Sequence, residues 1–111
     1  IEAGRCMFDA HGSYRTNARL SIPEADFLVE QVRARTRSGL YGAKITGGGA
    51  GGTVAVFGRI DALQQAIPEL SAAYTRETGR VPDLFEGTSP GALEHGVVRY
   101  RRSGNTWFEA S

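Results

Sequence analysis

The sequence has few of the features that mark secreted, membrane or nucleic-acid-binding proteins. Its single cysteine, Cys6, excludes an internal disulfide and is typical of a reducing compartment, so we predict a cytoplasmic location. Cys6 itself lies in an apolar helical stretch and is expected to be buried. The sequence shows no signal-peptide pattern and no apolar run of transmembrane length. Because the formal net charge is only +1, neither nucleic acid nor a membrane is expected as a partner.

Recognisable sets of metal ligands and catalytic groups are also missing from the sequence. No His, Cys and Asp residues have the spacing of a metal site, so no metal ligand is predicted in this chain. His11 has no serine or cysteine partner in a recognisable order, and we expect a structural role for it. Glu24 and Asp26 fall at the start of a predicted helix, where acidic residues are favoured without any catalytic role. We therefore predict no catalytic residue in this chain.

The composition that remains is that of a foldable domain. Of the 111 residues, 41% are hydrophobic and 23% are charged, as in ordinary globular proteins. This length can bury one modest core, so residues 1–111 are predicted to form a single domain. The chain begins at Ile1 rather than at Met, from which we expect a fragment, a processed product or an excised domain.

The order of the predicted elements indicates an α+β fold with a largely antiparallel sheet, because helices and strands do not alternate strictly. Ser21 and Glu24 have the spacing of a capping box, and Asp61 offers a second helix cap. Pro68 is expected to kink or split the third helix. Trp107 is expected to pack at a sheet edge, and an exposed Trp there would indicate a contact surface. In chain order, we predict helices over residues 1–14 and from 21 to about 39, strands over 40–46 and 53–57, a helix from 61 to Gly79, a short strand over 83–86, and a hairpin turn at 103–105.

The glycine-rich stretch between the two central strands is the clearest candidate for a binding site. Residues 46–52 read Thr-Gly-Gly-Gly-Ala-Gly-Gly, and the N–H groups of such a loop can converge on a phosphate. Gly47, Gly49 and Gly52 satisfy G-x-G-x-x-G, but a β-branched strand follows where the dinucleotide motif needs a helix. The Gly-Lys-Ser/Thr ending of a Walker A loop is missing as well. A wide hairpin without any ligand remains the alternative.

Three stretches of the chain resemble the GHMP kinases, the family of galactokinase, homoserine kinase, mevalonate kinase and phosphomevalonate kinase. Residues 42–52, Gly-Ala-Lys-Ile-Thr-Gly-Gly-Gly-Ala-Gly-Gly, resemble the third, C-terminal motif of the family. Residues 10–14, Ala-His-Gly-Ser-Tyr, and residues 21–29, Ser-Ile-Pro-Glu-Ala-Asp-Phe-Leu-Val, are similar to the galactokinase pattern. Residues 85–92, Phe-Glu-Gly-Thr-Ser-Pro-Gly-Ala, are similar to the tail of arabinokinase-type members. The chain departs from the galactokinase pattern at Ala10, Arg19 and Leu20.

This resemblance implies a fold, a reaction and a set of site residues. The C-terminal domain of the family is a ferredoxin-like sandwich of helices on a mostly antiparallel sheet. Its enzymes transfer the γ-phosphoryl group of ATP to a small-molecule acceptor, which in the galactokinase branch is the anomeric hydroxyl of a sugar. The glycine-rich motif lies against the active site and faces the nucleotide phosphates. Carried over by position, the site residues are Thr46, Gly47, Gly48, Gly49, Ala50, Gly51 and Gly52, with Lys44 as a further candidate that either meets a phosphate or points away from the loop.

The family's ATP loop, Pro-x-x-x-Gly-Leu-Gly-Ser-Ser, does not occur in this chain. The resemblance implies that this loop, the sugar-binding motif and the catalytic Asp belong to an N-terminal kinase domain, which would be a partner together with sugar and ATP. ATP and Mg²⁺ are implied for the parent enzyme, and we expect this chain alone to bind neither tightly and to be inactive. The alternative is a stand-alone ferredoxin-like module that binds a phosphorylated small molecule without catalysis.

Overall fold

The chain has an α+β architecture in a computed structural model that describes residues 1–50, 52–87 and 90–110. Its helices and small antiparallel sheets are consistent with the ferredoxin-like α+β fold that the resemblance implies. The elements are α1 (Glu2–Ser13), a π-helical segment (Tyr14–Ala18), α2 (Pro23–Arg33), a 3₁₀ turn (Thr36–Ser38), β1 (Leu40–Ile45), β2 (Val54–Gly58), α3 (Ile60–Thr78), α4 (Ala92–His95), β3 (Arg99–Ser103) and β4 (Thr106–Ala110).

Both sheets of the described chain are antiparallel pairs, which confirms the predicted strand direction. Strands β1 and β2 pair from Leu40 opposite Gly58 to Ile45 opposite Val54, with a bulge near the start of β1. Strands β3 and β4 form the predicted C-terminal hairpin. The glycine-rich loop therefore leaves the first sheet at the Ile45–Val54 end, where β1 stops and β2 begins.

The hydrophobic core lies where the three long helices meet β1. Apolar positions spaced three and four residues apart give each helix one buried face, as an amphipathic helix requires. The fully buried residues of greatest volume are Leu40, Ile45, Val29 and Val32, which come from β1 and α2. The core cluster consists of Phe8, Val29, Val32, Leu40, Ala43, Ala62, Ala66 and Leu70.

Helix α1 lies directly against β1 because two glycines leave room for the two backbones. A Cβ atom on Gly4 would overlap the backbone carbonyl of Tyr41. A Cβ atom on Gly42 would lie 2.5 Å from both the Cα and the carbonyl oxygen of Gly4. The close approach places the C-terminal end of α1, which carries His11, beside the end of β1.

The start of α2 differs from the predicted capping box. Pro23 occupies the first turn as expected, but no side-chain hydrogen bond caps the helix. The Ser21 hydroxyl instead donates to the Asp26 carboxylate at 2.5 Å, because that acceptor is charged and within reach. The helix also ends earlier than predicted, at Arg33. Gly39, with φ of 97°, closes the following 3₁₀ turn rather than α2 itself.

Helix α3 runs without interruption over Ile60–Thr78 and ends at Gly79, whose φ of 71° fits the predicted helix stop. Pro68 lies inside this continuous helix, so of the two expected effects, a kink or a split, the split does not occur. Asp61 does not cap the helix, because it pairs with Arg59 instead. The hydrogen bond from the Arg59 guanidinium lowers the pKa of Asp61 below its ordinary value.

The predicted strand over residues 83–86 is absent, since residues 81–87 have no regular structure. Pro82 cannot donate to a sheet ladder, and a strand of four residues gains little without a full partner. Residues 82–87 instead line an open groove of about 1050 Å³, together with residues of α2, β2 and α3. Val54, Ala55 and Val56 of β2 are among the residues that line it.

The C-terminal hairpin is almost entirely exposed. Trp107 is on the sheet edge as predicted, but 64% of its surface is accessible, as are large parts of Tyr100 and Phe108. The Cα radius of gyration is 17.5 Å, whereas a compact chain of this length would have about 13 Å. The hairpin thus presents an exposed aromatic surface, the feature expected of a contact surface.

The prediction that Cys6 is buried is wrong: the thiol is exposed, because the buried stripe of α1 passes through Gly4, Phe8 and His11 and leaves Cys6 on the outer face.

Within residues 1–50, 52–87 and 90–110, no helix combines the length and the apolar character needed to cross a membrane.

Candidate phosphate-binding loop

The glycine-rich loop is closed at its base by Thr46. The Thr46 N–H donates to the carbonyl of Thr53 at 2.8 Å, and its hydroxyl donates to the same oxygen at 3.2 Å. The Thr46 hydroxyl is therefore engaged with the loop backbone. Thr46 continues the β1–β2 pairing by one step and sets the width of the loop.

Left-handed backbone conformations explain most of the glycines in the loop. The φ angles are 74° at Gly47, 82° at Gly49 and 112° at Gly52, a region in which side chains with a Cβ are strained. Ala50 adopts φ of 52° in spite of its Cβ. Gly51, the remaining predicted site residue, lies outside the described residues.

The outer half of the loop rests on the segment that follows α1. The Ala50 N–H donates to the carbonyl of Leu20 at 2.5 Å. A Cβ atom on Gly49 would lie 2.6 Å from the same carbonyl oxygen and 2.7 Å from the Leu20 Cβ. No local sequence signal marks Leu20 as the residue that holds the loop.

The tip of the loop is open to solvent and retains unused donors. Gly47 and Gly48 are exposed, and a Cβ atom on Gly48 would meet no atom within 4 Å. Within the described part of the chain, the N–H groups of Gly47 and Gly48 donate no hydrogen bond. Consecutive free N–H groups in a turn of this kind form a concave site for an anion.

Lys44 is the charged residue near the loop that was considered as a phosphate ligand. Lys44, the further candidate, is half-buried on β1, and its ammonium lies 5.9 Å from the centre of the Tyr14 ring. That distance is within the range of a cation–π contact. Lys44 therefore contacts Tyr14 in the π-helical segment. In residues 1–50, 52–87 and 90–110, no three His, Cys, Asp or Glu side chains are grouped closely enough to hold a metal ion.

His11 lies beneath the loop and is 3% exposed. Its Nδ1 atom accepts the N–H of Ile45 at 3.3 Å, and its Nε2 atom lies 2.9 Å from Oδ1 of Asp26. Asp26 also accepts from Ser21, and its Oδ2 atom lies 3.4 Å from Nε of Arg15. The burial and the complete set of partners agree with the structural role expected for His11.

Known proteins similar to this chain are sugar kinases. L-Arabinokinase of Arabidopsis thaliana is 55% identical over 107 residues, an alignment that covers 89% of this chain and 10% of that protein. Galactokinase of Roseiflexus sp. (strain RS-1) is 33% identical over 82 residues, covering 74% of this chain and 20% of that protein. Galactokinase of Thermotoga neapolitana is 38% identical over 71 residues, covering 64% of this chain and 20% of that protein.

The chain spans only a tenth to a fifth of the length of these curated relatives. No protein-family model matches it. The similarity to L-arabinokinase nevertheless extends over most of the chain, and the galactokinase alignments cover about two thirds to three quarters of it. The chain belongs to the GHMP kinase family, in the branch that contains galactokinase and arabinokinase.

Proposed function

We propose that this chain is the C-terminal domain of an ATP-dependent sugar kinase, and that its glycine-rich loop completes the active site. The parent enzyme would transfer the γ-phosphoryl group of ATP to a sugar hydroxyl, the anomeric one by analogy with galactokinase. One observation carries the proposal. The loop is anchored at its base and its outer half, while within the described residues the N–H groups of Gly47 and Gly48 remain free at an exposed tip.

This arrangement suits phosphoryl transfer, which depends mainly on positioning and on stabilising charge at the phosphate oxygens. Fixed N–H donors provide that stabilisation without having to reorganise during the reaction. The anchors on Thr53 and Leu20 hold the loop backbone, so its free donors are directed before the substrate arrives. Thr46, Gly47, Gly48, Gly49, Ala50, Gly51 and Gly52 are the proposed site residues, and Lys44 is a weaker candidate.

The rest of the machinery would come from another part of the protein. The chain contains no Pro-x-x-x-Gly-Leu-Gly-Ser-Ser loop, and its relatives are five to ten times longer than the segment they share with it. We therefore propose an N-terminal kinase domain in the same cytoplasmic protein as the partner that holds ATP, Mg²⁺ and the sugar. This chain by itself would bind none of them tightly and would not turn over.

Substitution of Gly48 by valine tests the loop in the full-length enzyme. Gly48 has ordinary φ and open surroundings, so Gly48→Val should leave the unfolding midpoint almost unchanged. The added side chain would occupy the space in front of the free N–H groups, and kcat/KM for ATP should fall about 100-fold. The measurement is steady-state kinetics with arabinose, galactose and related sugars, alongside thermal unfolding.

Gly91→Val is the matched control, because Gly91 also has open surroundings, and its φ of −60° and ψ of 159° accommodate a side chain. It should retain wild-type kinetics. Unchanged kcat/KM in Gly48→Val would argue strongly against a loop that faces phosphate. Binding of a phosphorylated ligand to the loop, with no turnover in the full-length protein, would instead favour a binding module without catalysis.

A further inference from the structure

His11 is the only buried polar residue in the part of the chain that the structure describes. Burying an imidazole is costly unless both ring nitrogens have partners. Here the partners come from two different elements: the N–H of Ile45 on β1, and the carboxylate of Asp26 on α2. The His11 side chain on α1 therefore connects β1, the strand that leads into the loop, to α2.

The partners also define the state of the ring. A backbone N–H can only donate, so Nδ1 of His11 must be the unprotonated nitrogen that accepts from Ile45. The proton of the neutral ring then sits on Nε2 and is donated to Asp26. Asp26 is held in turn by Ser21 and Arg15, so it remains a hydrogen-bond acceptor that keeps the proton on Nε2.

Ile45 is the last residue of β1, and the loop begins at the next residue, Thr46. The bond to His11 thus fixes the backbone one residue before the site. The second anchor of the loop is the Leu20 carbonyl, nine residues after His11. Leu20 follows the π-helical segment that continues α1. Residues 11–20 therefore hold the loop at both its root and its outer half.

We propose that His11 is a positioning residue: its Nδ1 atom orients the Ile45 peptide and, through it, the free N–H groups of the glycine loop. This inference rests on the proposed function, because it assigns His11 to the alignment of that loop with a phosphate. His11 touches no substrate in this role, and its contribution is transmitted through the main chain at residues 45–46.

Two substitutions separate the roles of the ring nitrogens. Asparagine places its Oδ1 atom where His11 has Nδ1, so His11→Asn keeps an acceptor for Ile45 and loses the bond to Asp26. Glutamine places its Nε2 atom where His11 has Nε2, so His11→Gln keeps a donor for Asp26 and leaves the Ile45 N–H unpaired. The pair is matched, because both variants carry a neutral amide and each retains one of the two bonds.

In the full-length enzyme we expect kcat of His11→Asn to stay within about threefold of wild type and kcat of His11→Gln to fall at least about tenfold, since small displacements of a positioned group have large effects on rate. KM for the sugar should be the same in both. The assays are run at a temperature at which circular dichroism shows both variants folded. Equal kcat values for the two variants, or a lower value for His11→Asn, would overturn the positioning role.

NMR of the present chain tests the contact independently of any activity. At about pH 8, ¹⁵N spectra should show a protonated Nε2 and an unprotonated Nδ1. His11→Gln should shift the amide signals of Ile45 and Gly47–Gly49 more than His11→Asn does. A proton on Nδ1, or equal shifts in the two variants, would refute the inference. An inactive wild-type full-length protein with the expected spectra would refute the kinase function while leaving the contact intact.

Discussion

Gly4→Ala is expected to lower the free energy of unfolding by about 3 kcal/mol, an unusually large effect for one methyl group. The new Cβ atom would overlap the backbone carbonyl of Tyr41, and a backbone cannot turn aside as a flexible side chain can. Helix α1 would have to move away from β1, and the packing of Phe8 in the core would be disturbed with it. Urea denaturation followed by circular dichroism measures the loss.

Gly12→Ala provides the control on the same helix, because a Cβ atom there meets nothing within 4 Å. Alanine favours the helix over glycine by up to about 1 kcal/mol, so this variant should be slightly more stable than wild type. The expected result is thus a change of opposite sign for the same substitution eight positions apart. If Gly4→Ala were as stable as Gly12→Ala, the close approach of α1 to β1 would be disproved.

Gly49→Val is expected to release the outer half of the loop and to reduce the free energy of unfolding by about 1–3 kcal/mol. Valine would be strained at φ of 82°, and its Cβ atom would lie 2.6 Å from the carbonyl oxygen of Leu20. The loop should detach there, with loss of the bond between Ala50 and Leu20. Hydrogen exchange of the Ala50 amide, compared with global stability, measures this detachment directly.

In the full-length enzyme, Gly49→Val should also lower turnover strongly. The contact with Leu20 means that part of this loss would come from displacement of the loop rather than from a blocked phosphate site. Gly48→Val separates the two causes, since its surroundings are open. Slow exchange of the Ala50 amide in Gly49→Val would contradict the anchor on Leu20.

Local patterns predicted the elements well where local physics decides them. Apolar spacing located α1 and α2, β-branched residues located β2, and Gly79 ended α3 as its left-handed conformation allows. The capping box failed because the hydroxyl of Ser21 had a charged acceptor in Asp26. The strand over residues 83–86 failed because pairing depends on a partner edge, which the residues of the strand do not encode by themselves.

For the candidate loop, too, some features were predictable from local sequence and others were not. Its position between two strands and its need for glycine at several left-handed positions were predictable from residues 46–52 alone. The atoms that hold it were not, because the bond between His11 and Ile45 joins residues 34 positions apart in sequence. Only the fold brings these residues together, and the galactokinase-like pattern around His11 gave no indication of its partner.

The anchor on Leu20 is a contact between main-chain atoms, and this has a consequence for how the sequence of the segment can vary. The Ala50 N–H binds the carbonyl oxygen, which every amino acid carries. The amino acid at position 20 can therefore vary while the loop keeps this hydrogen bond. Arg19 and Leu20, where this chain departs from the galactokinase pattern, are both exposed, and we expect these departures to leave the support of the glycine loop unchanged.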